Sequence, residues 1–408
     1  MKIKKMSLIS KLIIAIIAGI LIGNFMPLWF CRTITTLSGF FSSFLKFIIP
    51  LMILSYVTIG IADLSQGAGK LLFITMTLTY GSTLISGVFS FLVSSRLFKS
   101  FMSPEIINKI QVSDNSQSVK ALFELVFPPV LDTISSVVLS FIFGLWLSSI
   151  KNKNSDDSFG KTLYSLIKDL SIIINNILNK IIVPLLPIYI CGTFIDMTYS
   201  GKTFAVLNIL WKVFLVVIFM HVIILLTLFF IAGIINKKNP FLLIKNQLPG
   251  YTAAFATQSS MAAIPVNLKC AEKNGIREEI RNFIVPICAN IHMPGSMITI
   301  TACAVAVCLI YKIPVDLSKI ISFIMTLAIA MTASPGAPGG SIMTALPFLY
   351  MIFGKEAGDT NGPLCAIMIA LYITQDSFGT ACNVSADNAV GLIVNFIYDK
   401  YIKKQKGD

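Results

Sequence analysis

Four polar side chains interrupt an otherwise apolar stretch in the last part of the sequence. They are Asp376, Thr380, Asn383 and Asp387, and their spacing of four, three and four residues places them on one face of a helix. A charged side chain in the centre of a bilayer costs about 3 kcal/mol unless it is paired, hydrated or bound to a cation. Two carboxylates in this setting therefore indicate a functional site. The alternative is a pair of structural aspartates satisfied by neighbouring hydroxyls and amides.

The composition is that of a polytopic membrane protein. Of the 408 residues, 55% are hydrophobic and 12% charged, whereas soluble domains have about 25% charged residues; the mean hydropathy is +0.83. A membrane span needs about 20 apolar residues. Six stretches before residue 240 are candidates, the fourth being short: 12–30, 41–61, 71–93, 137–150, 172–195 and 206–235.

Lysine placement predicts the orientation. If each of the six stretches crosses the membrane once, most lysine clusters fall on one side, which should be cytoplasmic. We expect a multi-pass protein of the cell inner (plasma) membrane with both termini cytoplasmic. The net charge of +13 does not indicate a nucleic-acid partner, because the lysines lie at loop ends and do not interleave with aromatic residues. These clusters are Lys2, Lys4 and Lys5, then Lys70, Lys151 and Lys153, Lys237 and Lys238, and Lys400, Lys403, Lys404 and Lys406.

Two pairs of half-length apolar segments follow, each joined by a polar tip. The first pair, 243–256 and 262–268, has its tip at 257–260. The second pair, 320–332 and 342–353, has a tip rich in glycine and proline. Segments too short to span, turning back at a polar tip, are typical of re-entrant hairpins.

Each hairpin precedes a long helix with a polar interruption. We expect the segment 284–310 to break between Asn290 and Ser296, and the segment 365–397 to break between Asp376 and Asp387. Interrupted apolar segments at corresponding positions of two halves indicate the substrate site of a transporter. Irregular backbone at membrane depth persists only where protein or a water-filled cavity covers it. The alternative is that these are ordinary loops rich in serine and glycine.

Three motifs make the chain resemble the dicarboxylate/amino acid:cation symporter family, which includes glutamate transporters and bacterial serine/threonine symporters. They match its serine-rich hairpin, its glycine-rich hairpin and its last-helix signature. In this sequence they read Gln258-Ser259-Ser260 followed by Ile264-Pro265-Val266, then Pro338-Gly339-Gly340, then Asn383-Val384-Ser385-Ala386-Asp387.

The resemblance implies an all-α polytopic membrane protein with eight transmembrane helices and two re-entrant helical hairpins, built as inverted repeats. It implies a homotrimer in membrane lipid with an elevator mechanism, in which a mobile domain slides against a fixed scaffold. A scaffold would comprise residues 1–69 (helices 1 and 2) and 101–202 (helices 4 and 5). A mobile transport domain would comprise 70–100 (helix 3) and 203–408 (helix 6 and everything after it).

The resemblance also implies a site for an amino acid. Asp376 would pair with the substrate ammonium, Thr380 and Asn383 would hold its α-carboxylate, and the hairpin tips would present backbone N–H groups at helix N-termini. Glycines at the second tip would let the backbone approach the ligand closely. The full set is Gln258, Ser259, Ser260, Ser296, Gly336, Ala337, Gly340, Ser341, Asp376, Gly379, Thr380 and Asn383.

Sodium is the co-transported ion that the resemblance implies. Asp387 and nearby carbonyl oxygens would bind it, since hard cations prefer oxygen ligands. The candidate sodium residues are Cys288, Asn290, His292, Met293, Ser334, Gly379, Asn383 and Asp387.

Departures from the family pattern bear on the substrate. Gly379 stands where carriers of acidic amino acids have arginine, and the alternative arginine position holds Gln258. Bidentate arginine makes carboxylate recognition strong, so glutamate and aspartate should be poor substrates. We expect a neutral L-amino acid such as serine or threonine. Because Gly379 should leave space, a larger amino acid such as cystine is an alternative.

Further departures bear on the ion. Pro294 replaces a family aspartate that binds a further sodium ion, and Thr75 replaces a tyrosine of the same site, so one sodium site should be lost. His292 has two interpretations. A neutral imidazole would be hydrogen-bonded to backbone freed by Pro294, whereas a histidine that changes charge near its usual pKa of about 6.5 would make the carrier proton-coupled.

Two other functional classes fit less well. A channel needs a continuous polar lining, whereas the polar residues here concentrate at hairpin tips and helix breaks. A membrane enzyme could use Asp376 and Asp387 as acid and base, but eleven residues of ideal helix separate them by roughly 16 Å. A carrier without enzymatic activity is the prediction.

Overall fold

The regular elements are all helical wherever the chain is described. The computed structural model describes residues 8–64, 69–101, 119–131, 133–152, 158–199, 201, 203–331, 334, 339–354 and 363–402. The α-helices are α1 (Leu8–Phe25), α2 (Leu28–Leu64), α3 (Gly69–Phe101), α4 (Thr133–Asn152), α5 (Ser158–Ile177), α6 (Val183–Tyr199), α7 (Thr203–Asn236), α8 (Pro240–Thr257), α9 (Ser260–Lys273), α10 (Glu278–Ile291), α11 (Pro294–Ile310), α12 (Leu317–Met331), α13 (Gly340–Ala345), α14 (Tyr350–Phe353) and α15 (Pro363–Ile397). Three short elements complete them: π-helices at Leu178–Ile182 and Tyr398–Ile402, and a 3-10 helix at Leu346–Phe348. The all-α prediction is confirmed.

Helix packing divides the described helices into two groups. In the first group α1 packs on α6, and α2 packs on α4, α5 and α6. In the second group α15 packs on α7, α8, α9, α10 and α11, α3 packs on α11 and α12, and α12 packs on α13 and α14. The assignment of these groups to a scaffold and a transport domain stays a prediction.

By length and composition, three helical stretches of the described chain could cross a membrane: Leu71–Ser100, Leu210–Asn236 and Glu278–Ile310. The first two contain most of the predicted spans 71–93 and 206–235. In the third, 94% of the most apolar window is buried inside the protein. This stretch is therefore the centre of the fold, whereas the other two expose apolar side chains as a lipid-facing helix does.

Two predicted spans depart from a single α-helix. Span 12–30 is wrong as a single helix, because α1 ends at Phe25 and α2 begins at Leu28. Pro27 explains the break: it has no N–H to continue α1, and its carbonyl accepts the first bond of α2, from the Phe30 N–H (3.0 Å). Span 172–195 includes the π-helix between α5 and α6.

The first predicted hairpin corresponds to α8 and α9, which pack on each other and are joined by two residues. Gln258 ends α8 in the left-handed conformation, with φ of 53°. Asn274, after α9, donates from Nδ2 to the Leu243 carbonyl near the start of α8 (3.2 Å). The two helices are therefore antiparallel. Their entry into a bilayer from one side stays a prediction.

The second hairpin is less regular than predicted. Its first arm is α12, and its second arm begins at Gly340 and consists of α13, the 3-10 helix and α14. Pro347 removes an N–H donor where the α-helix changes to the 3-10 form. Of the tip, only Ser334 and residues from Gly339 onward are described; Gly336 and Ala337 lie outside the described residues.

Only one of the two predicted helix breaks is present. His292 and Met293 separate α10 from α11, as expected. The predicted break between Asp376 and Asp387 is wrong, because α15 is continuous from Pro363 to Ile397. Aspartate, threonine and asparagine lower helix propensity only modestly, so their polarity marks a face of α15 without interrupting its backbone.

Candidate functional site

The N-terminus of α11 lies against the polar face of α15. The Asn383 Oδ1 accepts hydrogen bonds from the backbone N–H groups of Gly295 (2.8 Å) and Ser296 (3.2 Å). The first N–H groups of a helix have no partner within the helix, and Pro294 at the first position has none to offer. Asn383 of α15 thus caps the N-terminus of α11. This contact holds the break between α10 and α11 beside the four polar side chains.

Close contact between these helices depends on Gly295. A Cβ atom there would lie 2.4 Å from the Gly379 carbonyl oxygen and 2.6 Å from the Cys382 Cβ. Any side chain would push α11 away from α15. The missing side chain at Gly295 is therefore part of the site.

Asp376 is 4% exposed and binds the second hairpin tip. Its Oδ2 accepts from the Gly339 N–H (2.7 Å), and its Oδ1 lies 3.5 Å from the Thr380 hydroxyl. Gly339 has φ of 76°, a conformation that favours glycine. Asp376 has no lysine or arginine partner among the described ion pairs.

Ser296 joins three elements of the site. Its Oγ accepts from the Asn383 Nδ2 (2.9 Å) and the Tyr372 hydroxyl (3.1 Å) of α15, and from the Ser341 hydroxyl (3.4 Å) of the second hairpin. Hydrogen bonds thus join Ser296, Ser341, Asn383 and Tyr372 in one polar cluster, and the Tyr372 side chain also hydrogen-bonds Asp376. The structure brings the predicted substrate residues among these together; their roles stay predictions.

The first hairpin tip reaches α15 through Gln258. Its Nε2 donates to the Ser377 hydroxyl (3.0 Å), and Gln258 is buried. Ser259 caps α9 by accepting from the Ala262 N–H (3.3 Å), and Ser260 is the first residue of that helix. The predicted helix N-terminus is present at this tip.

Asp387 forms a buried pair with His292. The Asp387 Oδ1 lies 3.0 Å from the His292 Nδ1, and the His292 Nε2 lies 3.0 Å from the Ser82 Oγ on α3. Neither expectation for His292 included these partners. We expected a neutral His292 ring to bind backbone freed by Pro294. The two ring nitrogens instead contact Asp387 and Ser82. The Asp387 Oδ2 is buried without a hydrogen-bond partner.

Several predicted sodium residues have other partners. The Cys288 carbonyl accepts from the His292 N–H (2.9 Å), and the Asn290 Nδ2 donates to the Pro286 carbonyl of its own helix (3.2 Å). The Met293 Sδ accepts from Ser341 (3.7 Å). The Ser334 Oγ is buried and unpartnered. Among the described residues, Asp387 hydrogen-bonds His292 and none of these four.

Gly379 lies close to α11. A Cβ atom there would contact the Thr299 Oγ1 at 3.5 Å and Gly295 and Ser296 at 3.6 Å. These are ordinary van der Waals distances, so a Cβ would fit against α11 without a clash. The expectation that Gly379 leaves space for a larger substrate stays a prediction.

Three site residues were missed by the sequence reasoning: Ser82, Tyr372 and Ser377. Tyr372 precedes Asp376 by four residues and so shares its helix face. Ser82 follows Thr75 by seven residues and shares its face of α3. The Thr75 hydroxyl itself donates to the Leu71 carbonyl of its own helix (2.8 Å). Helical spacing was the available signal for all three, since Ser377 also lies three residues before Thr380.

This geometry suits positively charged ligands. Two buried carboxylates lie on one continuous helix face, and one oxygen of Asp387 has no partner. In the described residues, no group of three or more His, Cys, Asp and Glu side chains could hold a metal ion. Sodium does not require such a group, since carbonyl and hydroxyl oxygens also bind it.

Comparison with known proteins extends the similarity to nearly the whole chain. The serine/threonine transporter SstT of Acinetobacter baylyi is 26% identical over 94% of this chain and 95% of its own length. The protein of the same name from Acinetobacter baumannii strain AYE matches at the same identity and coverage. The family model described as "Sodium:dicarboxylate symporter family" matches residues 8–397, and the chain therefore belongs to that family.

Proposed function

We propose that this protein carries a small neutral L-amino acid, serine or threonine in type, together with sodium. As a member of its family it is a cation-coupled, multi-pass membrane symporter and not an enzyme. The observation that carries the proposal is Asp376, a buried carboxylate without a basic partner among the described residues. A substrate ammonium would supply the missing positive charge.

The same surroundings argue against an acidic substrate. The family name includes dicarboxylates, but Gln258 and Gly379 leave no guanidinium at either position that the resemblance assigns to one. The Gln258 amide is already hydrogen-bonded to Ser377. An acidic side chain would enter beside Asp376 without a counter-charge among the described residues. The names of the serine/threonine relatives support the neutral choice.

The unpartnered oxygen of Asp387 supports the proposed sodium site. A buried carboxylate oxygen without a hydrogen bond is costly, and a cation would satisfy it. Pro294 cannot ligate through a side chain, so fewer ions should accompany the substrate. Because His292 already contacts Asp387, a proton in place of sodium is the second candidate.

An elevator mechanism in a homotrimer completes the proposal. All hydrogen bonds described above for the site join α3 and helices α8 to α15, which belong to the second packing group. The second packing group would thus carry the bound substrate and ion as it moves past the first group. The cell inner (plasma) membrane and cytoplasmic termini remain part of this proposal.

Proteoliposome uptake tests the substrate. The purified protein is reconstituted, and labelled serine uptake is measured under an inward sodium gradient, with unlabelled threonine, alanine, cystine, glutamate or aspartate as competitors. We expect threonine to compete strongly and the two acidic amino acids weakly. Cystine competing better than threonine would favour the larger substrate. Glutamate or aspartate competing as well as threonine would contradict the neutral assignment.

A further inference from the structure

A cavity lies between α7, α8 and α15, and none of the proposed substrate or sodium residues lines it. Its volume is about 200 Å³, and its lining is mostly aliphatic and aromatic. It includes Val222, Leu225, Phe229, Leu248 and Phe378. Four side chains with polar atoms also line it: His221, Gln247, Tyr251 and Ser385.

His221 has one ring nitrogen engaged and one without a partner. Its Nε2 lies 3.0 Å from the Gly295 carbonyl oxygen. The Thr299 hydroxyl lies 3.2 Å from Nε2 and donates to the same carbonyl. Since a carbonyl only accepts, Nε2 carries the hydrogen, and Nδ1 of the neutral ring is an acceptor. Nδ1 is buried and has no hydrogen-bond partner, although the residue is only 3% exposed.

Ser385 supplies a second unsatisfied group at the same cavity. It is 2% exposed, and its Oγ has no hydrogen-bond partner. Gln247, by contrast, donates to the Asn267 Oδ1 (2.8 Å) and accepts from Asn388. Buried polar atoms are rarely left unpaired. Two unpaired polar atoms at one apolar cavity indicate a ligand that is mainly apolar and carries a hydrogen-bonding group.

We propose that this cavity binds a small apolar alcohol or phenol. Its hydroxyl would donate to the His221 Nδ1 and accept from the Ser385 hydroxyl, while its hydrocarbon would fill the apolar lining. A dry cavity of about 150 Å³ accommodates benzene, so the volume fits one substituted ring. A water molecule could satisfy the two polar atoms, but it would leave the apolar lining uncovered.

The cavity can be reached from the outer surface past apolar side chains, and His221 connects it to the transport site. Val222 and Leu248 are each about half exposed on the outer surface, so a bilayer-soluble phenol could enter between them. His221 also binds the Gly295 carbonyl, and the Gly295 N–H binds Asn383. Occupancy should therefore alter substrate affinity at the transport site.

Fluorine NMR of 4-(trifluoromethyl)phenol with the purified full-length protein tests the proposal. We expect a saturable bound signal that p-cresol displaces at a several-fold lower concentration than toluene, which lacks the hydroxyl. Ser385→Ala should weaken binding about fivefold, as expected for one hydrogen bond. Val222→Trp should abolish the signal by closing the mouth. Ser94→Ala is the matched control, because Ser94 on α3 is also buried and unpartnered but does not line the cavity.

Three results would overturn the proposal. One is the absence of any saturable signal, which would leave water as the occupant. Another is equal displacement by toluene and p-cresol, and the third is unchanged binding in both Ser385→Ala and Val222→Trp. Because Val222 is half exposed, its replacement tests the site even if Ser385→Ala fails to fold.

Discussion

Asp376 and Asp387 share a face of α15 and differ in what surrounds them. Asp376 accepts a hydrogen bond from the backbone N–H of Gly339, at the second hairpin tip. Asp387 binds His292 and, through it, α3. A ligand at Asp376 would therefore lie beside the second hairpin, whereas an ion at Asp387 would lie beside His292, which contacts α3.

Asp376→Asn should reduce substrate affinity by about 30-fold or more. Removing one partner of a buried charge pair costs roughly 2–5 kcal/mol, and each 1.4 kcal/mol is a factor of ten. Substrate binding to the purified protein, followed by calorimetry, measures the effect. Asp316→Asn is the control, since Asp316 caps the start of α12 (Ser318 N–H, 3.0 Å) away from the site. Unchanged affinity in Asp376→Asn would contradict the amino acid assignment.

Gln258→Arg should let aspartate compete with serine. The Gln258 side chain already points at Ser377 on α15, so an arginine there would place its guanidinium beside the polar cluster. Its forked donors bind carboxylates in bidentate fashion. Inhibition of serine uptake by aspartate measures the change, with Gln258→Met as the uncharged control of similar length. If the arginine variant excludes aspartate as the wild type should, Gln258 does not determine selectivity.

For the helices, local sequence patterns predicted well where the helices end. They did not predict which residues of different helices contact each other. The tip at Gln258 and the break before Pro294 follow from local backbone chemistry, and the structure has both. The continuous α15 was mispredicted because polarity was taken for a backbone break. Ser82 contacts His292 across 210 positions of sequence, and the packing at Gly379 depends on α11. Neither can be read from spacing along one helix.

Gly295→Ala should destabilise the fold and impair transport together. A Cβ atom there would overlap the Gly379 carbonyl and Cys382, and overpacking typically costs about 1–3 kcal/mol. Thermal unfolding in detergent measures the loss. Gly81→Ala is the matched control on α3, where a Cβ atom would meet nothing within 4 Å. The close approach of α11 and α15 would be refuted if both variants unfolded at the wild-type temperature.

For the whole molecule, the candidate ion site joins distant parts of the chain into one packing group. Ser82 of α3, His292 after α10 and Asp387 of α15 form a continuous hydrogen-bonded chain. Family resemblance predicted that α3 belongs with the C-terminal helices, and composition alone did not. An ion bound at Asp387 would connect α3 to α15. We therefore expect it to stabilise the packing of the whole second group.

Substrate affinity should rise with sodium concentration, and Asp387→Asn should abolish that rise. The carboxylate is the only acidic side chain of the proposed ion site, since Pro294 replaces the other. A cation that satisfies its buried Oδ2 would stabilise the substrate-binding form. Serine binding at a series of sodium concentrations, with choline keeping the ionic strength constant, measures the dependence.

His292→Gln distinguishes sodium from protons. Glutamine can still donate to Asp387 but does not titrate, so sodium-coupled binding should persist in this variant and depend little on pH. If instead wild-type affinity ignores sodium and rises as pH falls, and His292→Gln removes that response, then the carrier is proton-coupled. A proton at the His292–Asp387 pair would then replace the ion, because both would neutralise the same buried carboxylate.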